Sequence, residues 1–268
     1  MARTIVKVLV TAAFALATCL LAAGCLNGGG SGGGSTGGVW TIVSLTKYDV
    51  AGNVDETVVQ ELGADGSLQY SDWTYEDGSH RILTYDEFDE HGAGVHGTAT
   101  RLDATGNVTR TEEVTNANTY DADGRLLSSE DENGVIYEYS YHDNGVIAEN
   151  HSNQGYENKF DERGRKVYYA GGFLGRDGRG ACTVVYDEDA RGNVTGWTAT
   201  FENGETCTFT CTLDKHGNIT DVYGANGQLL IHAEYQHIAN PCDVALVYQY
   251  TRVGTWVVFD AVEQWVGI

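Results

Sequence analysis

Thr119 to Tyr169 opens with TYDADGRLL, continues through DENGVIYEYSYHDNG at 131–145 and ends with SNQGYENKFDERGRKVYY at 152–169. Glycines fall at Gly124, Gly134, Gly145, Gly155 and Gly164, so a turn arrives about every ten residues. Strand-forming residues fill the gaps, Val135 to Tyr141 most clearly. That rhythm predicts short antiparallel strands joined by tight hairpins.

One unit shows the chemistry. In Tyr120-Asp-Ala-Asp-Gly-Arg-Leu126, the first Asp accepts a hydrogen bond from the backbone two residues on, and Gly124 takes positive φ without a steric penalty. The pair fits a type I turn followed by a bulge glycine. The grammar recurs at Tyr48 to Asn53, Leu102 to Asn107, Phe160 to Arg165 and Leu213 to Asn218. Tyr186 to Asn193 reads as a copy with two extra residues, and Tyr223 to Gln228 as one that has lost its Asp.

The pattern resembles the YD (RHS) repeat, whose core is Tyr-Asp-x-x-Gly-Arg-Leu, over most of 46–235. The resemblance implies an all-β fold of repeated antiparallel β-hairpins in an extended, curled or solenoid-like sheet. In large toxins of that family such sheets enclose a C-terminal effector. This chain is expected to be too short for a closed cocoon, and several copies carry Asn where the family has Arg.

Residues 1–24 read as a targeting segment: Arg3 and Lys7, the apolar run Val8 to Leu21, then Ala22-Ala23-Gly24 before Cys25. This resembles a bacterial lipoprotein signal with its lipobox, which implies a lipidated Cys25. Residues 25–38 are then the lipidated Cys and a Gly/Ser tether reaching roughly 20 Å, and 39–268 the β domain. Val244 to Tyr250 and Thr255 to Phe259 are apolar and β-branched, so 240–268 is expected to supply closing strands over the sheet's last edge.

The chain carries 16 Lys and Arg against 38 Asp and Glu, a formal charge of −22. Losing Arg3 and Lys7 with the leader makes it two charges more negative. That balance argues against nucleic acid and against lying on an anionic membrane surface. Asp as the preferred turn residue accounts for many of the acids.

Cys182, Cys207, Cys211 and Cys242 remain in the mature chain. Cys207 and Cys211 lie on one face of an alternating strand, roughly 13 Å apart, beyond the about 7 Å Cα separation a disulfide allows. Cys182 and Cys242 are therefore each expected to bridge to one of them. The spacing lacks a C-x2-C metal form, and no metal or other cofactor is implied.

Gly29 to Gly33 matches a nucleophile elbow and Gly92 to Gly97 a dinucleotide loop, but neither has the strand and helix its chemistry needs. His91 and His96 read as polar loop histidines. The acid pairs Asp121/Asp123, Asp131/Glu132 and Asp187/Asp189 read as turn acids, with acid–base catalysis as the competing role. Tyr137, Tyr139 and Tyr141 put three rings on one strand face. They form either a ladder serving as core or an exposed platform for sugars or a partner.

The sequence thus predicts an outward-facing lipoprotein anchored to a bacterial cell membrane. It would be a non-catalytic binding or scaffolding module for an envelope or host glycan or a surface protein. The alternatives are a glycan hydrolase using an acid pair, and a protein-binding inhibitor or assembly component.

Overall fold

The hairpin loop is built as its residues require. At Asp49 one carboxylate oxygen accepts from the backbone N–H of Ala51 and of Asn53, both at 2.8 Å, while Gly52 N–H donates to the Asp49 carbonyl at 3.0 Å. Gly52 takes φ 84°, a conformation a Cβ would strain. The register shifts between Lys47 and Tyr48, which is the expected bulge. Asp103, Asp121, Asp161 and Asp214 do the same. The Asn-for-Arg departures are chemically conservative. Arg125 and Arg165 donate to the second carboxylate oxygen of their turn Asp at 2.7 Å, and Asn53, Asn193 and Asn218 donate to the same oxygen at 3.0, 2.8 and 2.9 Å. The copy with two extra residues is an ordinary loop that starts at Asp189, after a strand running two residues further.

The computed structural model describes residues 38–171 and 179–266; the leader, Cys25 and the tether to residue 37 lie outside the described residues. The strands are β1 (Val39–Tyr48), β2 (Val54–Leu62), β3 (Leu68–Tyr75), β4 (His80–Phe88), β5 (Gly94–Leu102) and β6 (Val108–Tyr120). Then come β7 (Leu126–Asp131), β8 (Ile136–Tyr141), β9 (Ile147–Ser152), β10 (Glu157–Phe160) and β11 (Lys166–Ala170). Finally come β12 (Cys182–Glu188), β13 (Val194–Phe201), β14 (Thr206–Leu213), β15 (Ile219–Gly224) and β16 (Leu229–Ile238). The all-β, antiparallel hairpin expectation holds. The sheet curls until it closes: each strand pairs with its sequence neighbours, and β1 pairs with β16 from Val39↔Ile238 to Lys47↔Ile231. The chain is therefore long enough for a closed shell after all.

Closure removes the edge that 240–268 was expected to cover, and among the described residues that segment forms no strands. It folds as α1 (Asp243–Arg252), a π-helical stretch (Val253–Phe259) and α2 (Asp260–Val266). Asp243 sits in the first turn of α1, where the helix dipole favours it.

Apolar side chains face inward. Leu45, Leu83, Leu126, Ile147, Ile219 and Ile231 are completely buried. Outward positions are polar, as with Thr206, Thr208 and Thr210 of β14. This is the reverse of a membrane-spanning barrel, whose outer wall is apolar.

Trp197 is fully buried with its ring 5.4 Å from that of Phe209. Trp197→Ala is expected to cost about 3–5 kcal/mol in equilibrium denaturant melts. Val185→Ala, at an outward position on β12 that is 69% exposed, should change stability by less than about 0.5 kcal/mol.

Candidate functional site

Strands alternate in direction, so the hairpin turns fall into two rings. The turns at Gly66, Gly92, Gly124, Gly145, Gly164, Gly192 and Gly217 mark the near end, where β16 exits; those at Gly52, Gly78, Gly106, Gly134, Gly155, Gly204 and Gly227 mark the far end. The C-terminal segment first crosses the near end. Cys242 N–H donates to the Asp65 carbonyl at 2.8 Å, Val244 N–H to the His91 carbonyl at 3.2 Å, and His91 Nδ1 lies 2.8 Å from Asp243 Oδ2. That bond raises the His91 pKa. Tyr120 packs its ring 3.8 Å from His91 and donates its hydroxyl to Asp89 at 2.6 Å.

The segment then runs through the lumen. Val257, Val258, Ala261 and Val262 are at most 1% exposed and cluster with Trp197, Phe209, Val222 and Ile231 of the wall. It reaches the far end, where Gln264 donates to Asp55 at 3.0 Å and Trp265 stacks on Phe201. The barrel carries its own last residues as a plug.

Five ionisable groups meet where the plug touches the wall: Lys47, Glu56, Lys166, Asp260 and Glu263. Lys47 Nζ lies 3.1 Å from Glu56 Oε1 and 3.0 Å from Asp260 Oδ2. Lys166 is 1% exposed, with its ammonium 4.9 Å from the Phe259 ring centre. Burial opposes the charge on Lys47, but Asp260, Glu56 and Glu263 hold its pKa well above the ordinary value. Burial pulls Lys166 down to about 7, against the pull of Asp260 and Glu263. Asp260 is pushed up by burial, and Glu263 by burial and then by Asp260 one turn before it. Such a cluster can hold a proton and orient a segment. Asp260 itself is 5% exposed.

None of these residues stood out in the sequence, where they lie far apart and follow no motif. The tyrosines that did stand out are wall lining. Tyr139 is 6% exposed, and Tyr137 and Tyr141 pack against the same inner cluster, with the Tyr141 hydroxyl donating to the Leu126 carbonyl at 2.6 Å. All three rings are thus on the inward face, with Tyr137 and Tyr141 half-buried. The candidate acids are turn acids: Asp121 Oδ1 accepts from the N–H groups of Asp123 and Arg125, and Asp131 Oδ1 from those of Asn133 and Val135. The expected disulfides are not formed, and all four cysteines are free thiols. Cys242 is at the near end beside Gly92, whereas Cys182 and Cys207 lie inside the β12–β14 wall, where burial pushes both thiols up to about 12. His96 bridges Asp86 at 2.6 Å and Glu113 at 3.0 Å on the outer wall. Among the described residues no cluster of three or more His, Cys, Asp or Glu is arranged to hold a metal ion.

No protein-family model and no curated protein matches the sequence. Solved structures show distant similarity. The TcdB2-TccC3-TEV crystal structure aligns at 13% identity and TM-score 0.33, covering 72% of this chain and 12% of that one. The Photorhabdus luminescens Tc holotoxin pore aligns at 15% and 0.29, covering 74% and 13%. A porin-like protein from Bacteroides uniformis aligns at 11% and 0.30, covering 76% and 93%. The chain thus spans a small fraction of the first two.

Two measurements test the plug's anchor. Lys47→Met leaves buried carboxylates without their cation and should cost about 3–5 kcal/mol in denaturant melts. Adding Asp260→Asn should recover much of that loss, a non-additivity that identifies the contact. In the folded state Lys166 loses its proton near pH 7, whereas the unfolded side chain keeps it to about 10.4. The unfolded state therefore binds more protons across that window, and stability contributed by this group rises with pH. Lys166→Met should flatten that limb of the stability–pH curve.

Proposed function

We propose that this chain is a YD-repeat lipoprotein, anchored through Cys25 at the outer face of a bacterial cell membrane, that works as a non-catalytic binding or scaffolding module for another surface protein. The observation that carries the non-catalytic reading is the fate of the acids. One acid of each pair offered by the sequence, Asp121, Asp131 and Asp189, is spent on backbone N–H groups in turns, and Asp260 of the plug is 5% exposed. A hydrolase needs two carboxyl groups flanking an accessible bond.

A protein partner is favoured over a glycan because the tyrosine ladder faces the core. The surface left for recognition is the outer wall, made of threonine ladders and histidine–carboxylate pairs. Thr198 and Thr208 hydroxyls lie 3.3 Å apart, and His232 lies 2.7 Å from Asp221. Large apolar residues on it, such as Val59, Val108 and Val185, are scattered. A short tether would hold this wall close to the membrane and let it turn.

Cell fractionation with surface proteolysis tests the reading. Wild-type protein should sediment with membranes and be cleaved on intact cells once any outer membrane is opened. Cys25→Ser should move it to the soluble fraction. Crosslinking on the same cells should yield a discrete larger species. Membrane retention of Cys25→Ser would remove the lipid anchor, and activity on glycans that is lost in Asp260→Asn would replace the binder with the hydrolase.

A further inference from the structure

The far mouth of the lumen carries a row of like charges. Cross-strand pairing sets Arg81 of β4 opposite Arg101 of β5, and Arg101 opposite Arg110 of β6. All three share the inward face: Leu83 and Tyr85 follow Arg81 on β4, Ala99 precedes Arg101 on β5, and Val114 follows Arg110 on β6, each of them buried. Directly opposed residues have Cβ atoms about 5 Å apart, and like charges at that spacing destabilise a sheet. Three in a row therefore call for a counter-charge.

Two carboxylates stand near the row, Glu112 of β6 and Glu56 of β2, and among the described residues neither forms an ion pair with Arg81 or Arg101. Arg110 pairs with Glu112, the one acid facing the row from β6. Arg125, Arg163, Arg165 and Arg179 each have a carboxylate partner elsewhere. Among the described residues Arg81 and Arg101 make no ion pair, and the Nε of Arg101 is buried with no acceptor. Burial first, and Arg101 beside it, lower the pKa of Arg81 against the pull of Tyr75, Tyr85 and Glu112.

The surroundings have the shape of a recognition site. Arg81 lies over the ring of Trp73, 5.3 Å from its centre, which fixes one guanidinium plane. Tyr75 stands next on β3 at the mouth, 37% exposed, with its hydroxyl in the field of Glu56 on one side and of Arg81, Arg101 and Lys47 on the other. Two guanidinium forks on adjacent strands suit the bidentate geometry of a tetrahedral oxyanion.

We propose that Arg81 and Arg101 bind a small tetrahedral oxyanion, phosphate or sulfate, at the far mouth of the lumen, beside Trp73 and Tyr75. The size follows from charge. A chain at −22 repels a long polyanion, while a single ion feels mainly the two cations within a Debye length of about 8 Å.

The test uses the full chain in non-ionic detergent, titrated with sodium phosphate and sodium sulfate against sodium chloride at matched ionic strength, read by calorimetry and thermal melting. Wild type should give a saturable response to phosphate and sulfate and none to chloride. Arg81→Gln and Arg101→Gln should each weaken binding about tenfold or more, the worth of one charge-assisted hydrogen bond. In chloride alone both variants should melt at or above the wild-type midpoint, because like-charge repulsion is relieved. Arg101→Lys, which keeps the charge and loses the fork, should weaken binding too and serves if a glutamine variant does not fold. Phenyl phosphate binding beside inorganic phosphate would show that an ester-borne group enters; its rejection would assign the site to the free ion. A wild type indifferent to both oxyanions, equal binding in both glutamine variants, or an equal loss in Arg125→Gln at the opposite end would overturn the proposal.

Discussion

The width of the barrel governs everything else in this protein. A closed sheet of eight strands leaves a lumen that its own side chains can fill; at sixteen strands the same construction leaves an open channel. Closure by β1 and β16 removes every sheet edge, but it creates an interior that the wall cannot occupy alone. The chain solves this with its own end. One half of the lumen, lined by β12–β16 and β1, takes the plug residues Val257 to Val262. The other half is filled by bulky wall residues, Trp73, Leu83, Tyr85, Tyr139 and Phe160, with Val244 of α1 over them.

The helical state of the plug follows from where it lies. Val257 and Val258 are β-branched, and by local preference they belong in a strand. Inside a closed barrel, however, every wall strand already has two partners, and an extended segment would leave its N–H and C=O groups unpaired in a dry interior. A helix satisfies them within itself. Tertiary context therefore overrides propensity here. The charges of the segment come in with it, and each needs an answer from the wall: Asp260 meets Lys47, and Glu263 lies in the field of Lys47 and Lys166. Such contacts fix orientation more than they add stability, because desolvation offsets much of the attraction.

What the sequence disclosed was what is local. The Asp-x-x-Gly turns, their bulges and the strand rhythm are decided within about ten residues, and the hairpins stand where Asp49, Asp121 and Asp161 put them. The inward face of Tyr137 to Tyr141 was visible as a face, while its direction depended on closure. Closure itself was not legible, because curvature accumulates from small twists at every strand pair and no single residue encodes it. The state of 240–268 was hidden for the same reason: its pattern fits a strand until the lumen exists. The cysteine pairing failed on geometry, since Cys242 stops at the near end and never reaches the wall that holds Cys182 and Cys207.

The distribution of cations completes the picture. In a chain this acidic, the outer wall and turns keep their carboxylates in water, where repulsion is screened and backbone N–H groups solvate the turn acids. The lumen offers no such screening, so charge there has to be matched group by group. Lys47 faces inward and is answered by the carboxyls of Glu56 and the plug. Arg81 and Arg101 face inward on β4 and β5, while α2 packs on β1 and β14–β16. The plug's acids are thus spent on the opposite side of the lumen, and Glu112 is spent on Arg110. The same constraint that fills one half of the barrel therefore leaves, at the mouth of the other, two guanidinium groups that feel Glu112 and Glu56 nearby but form no ion pair among the described residues.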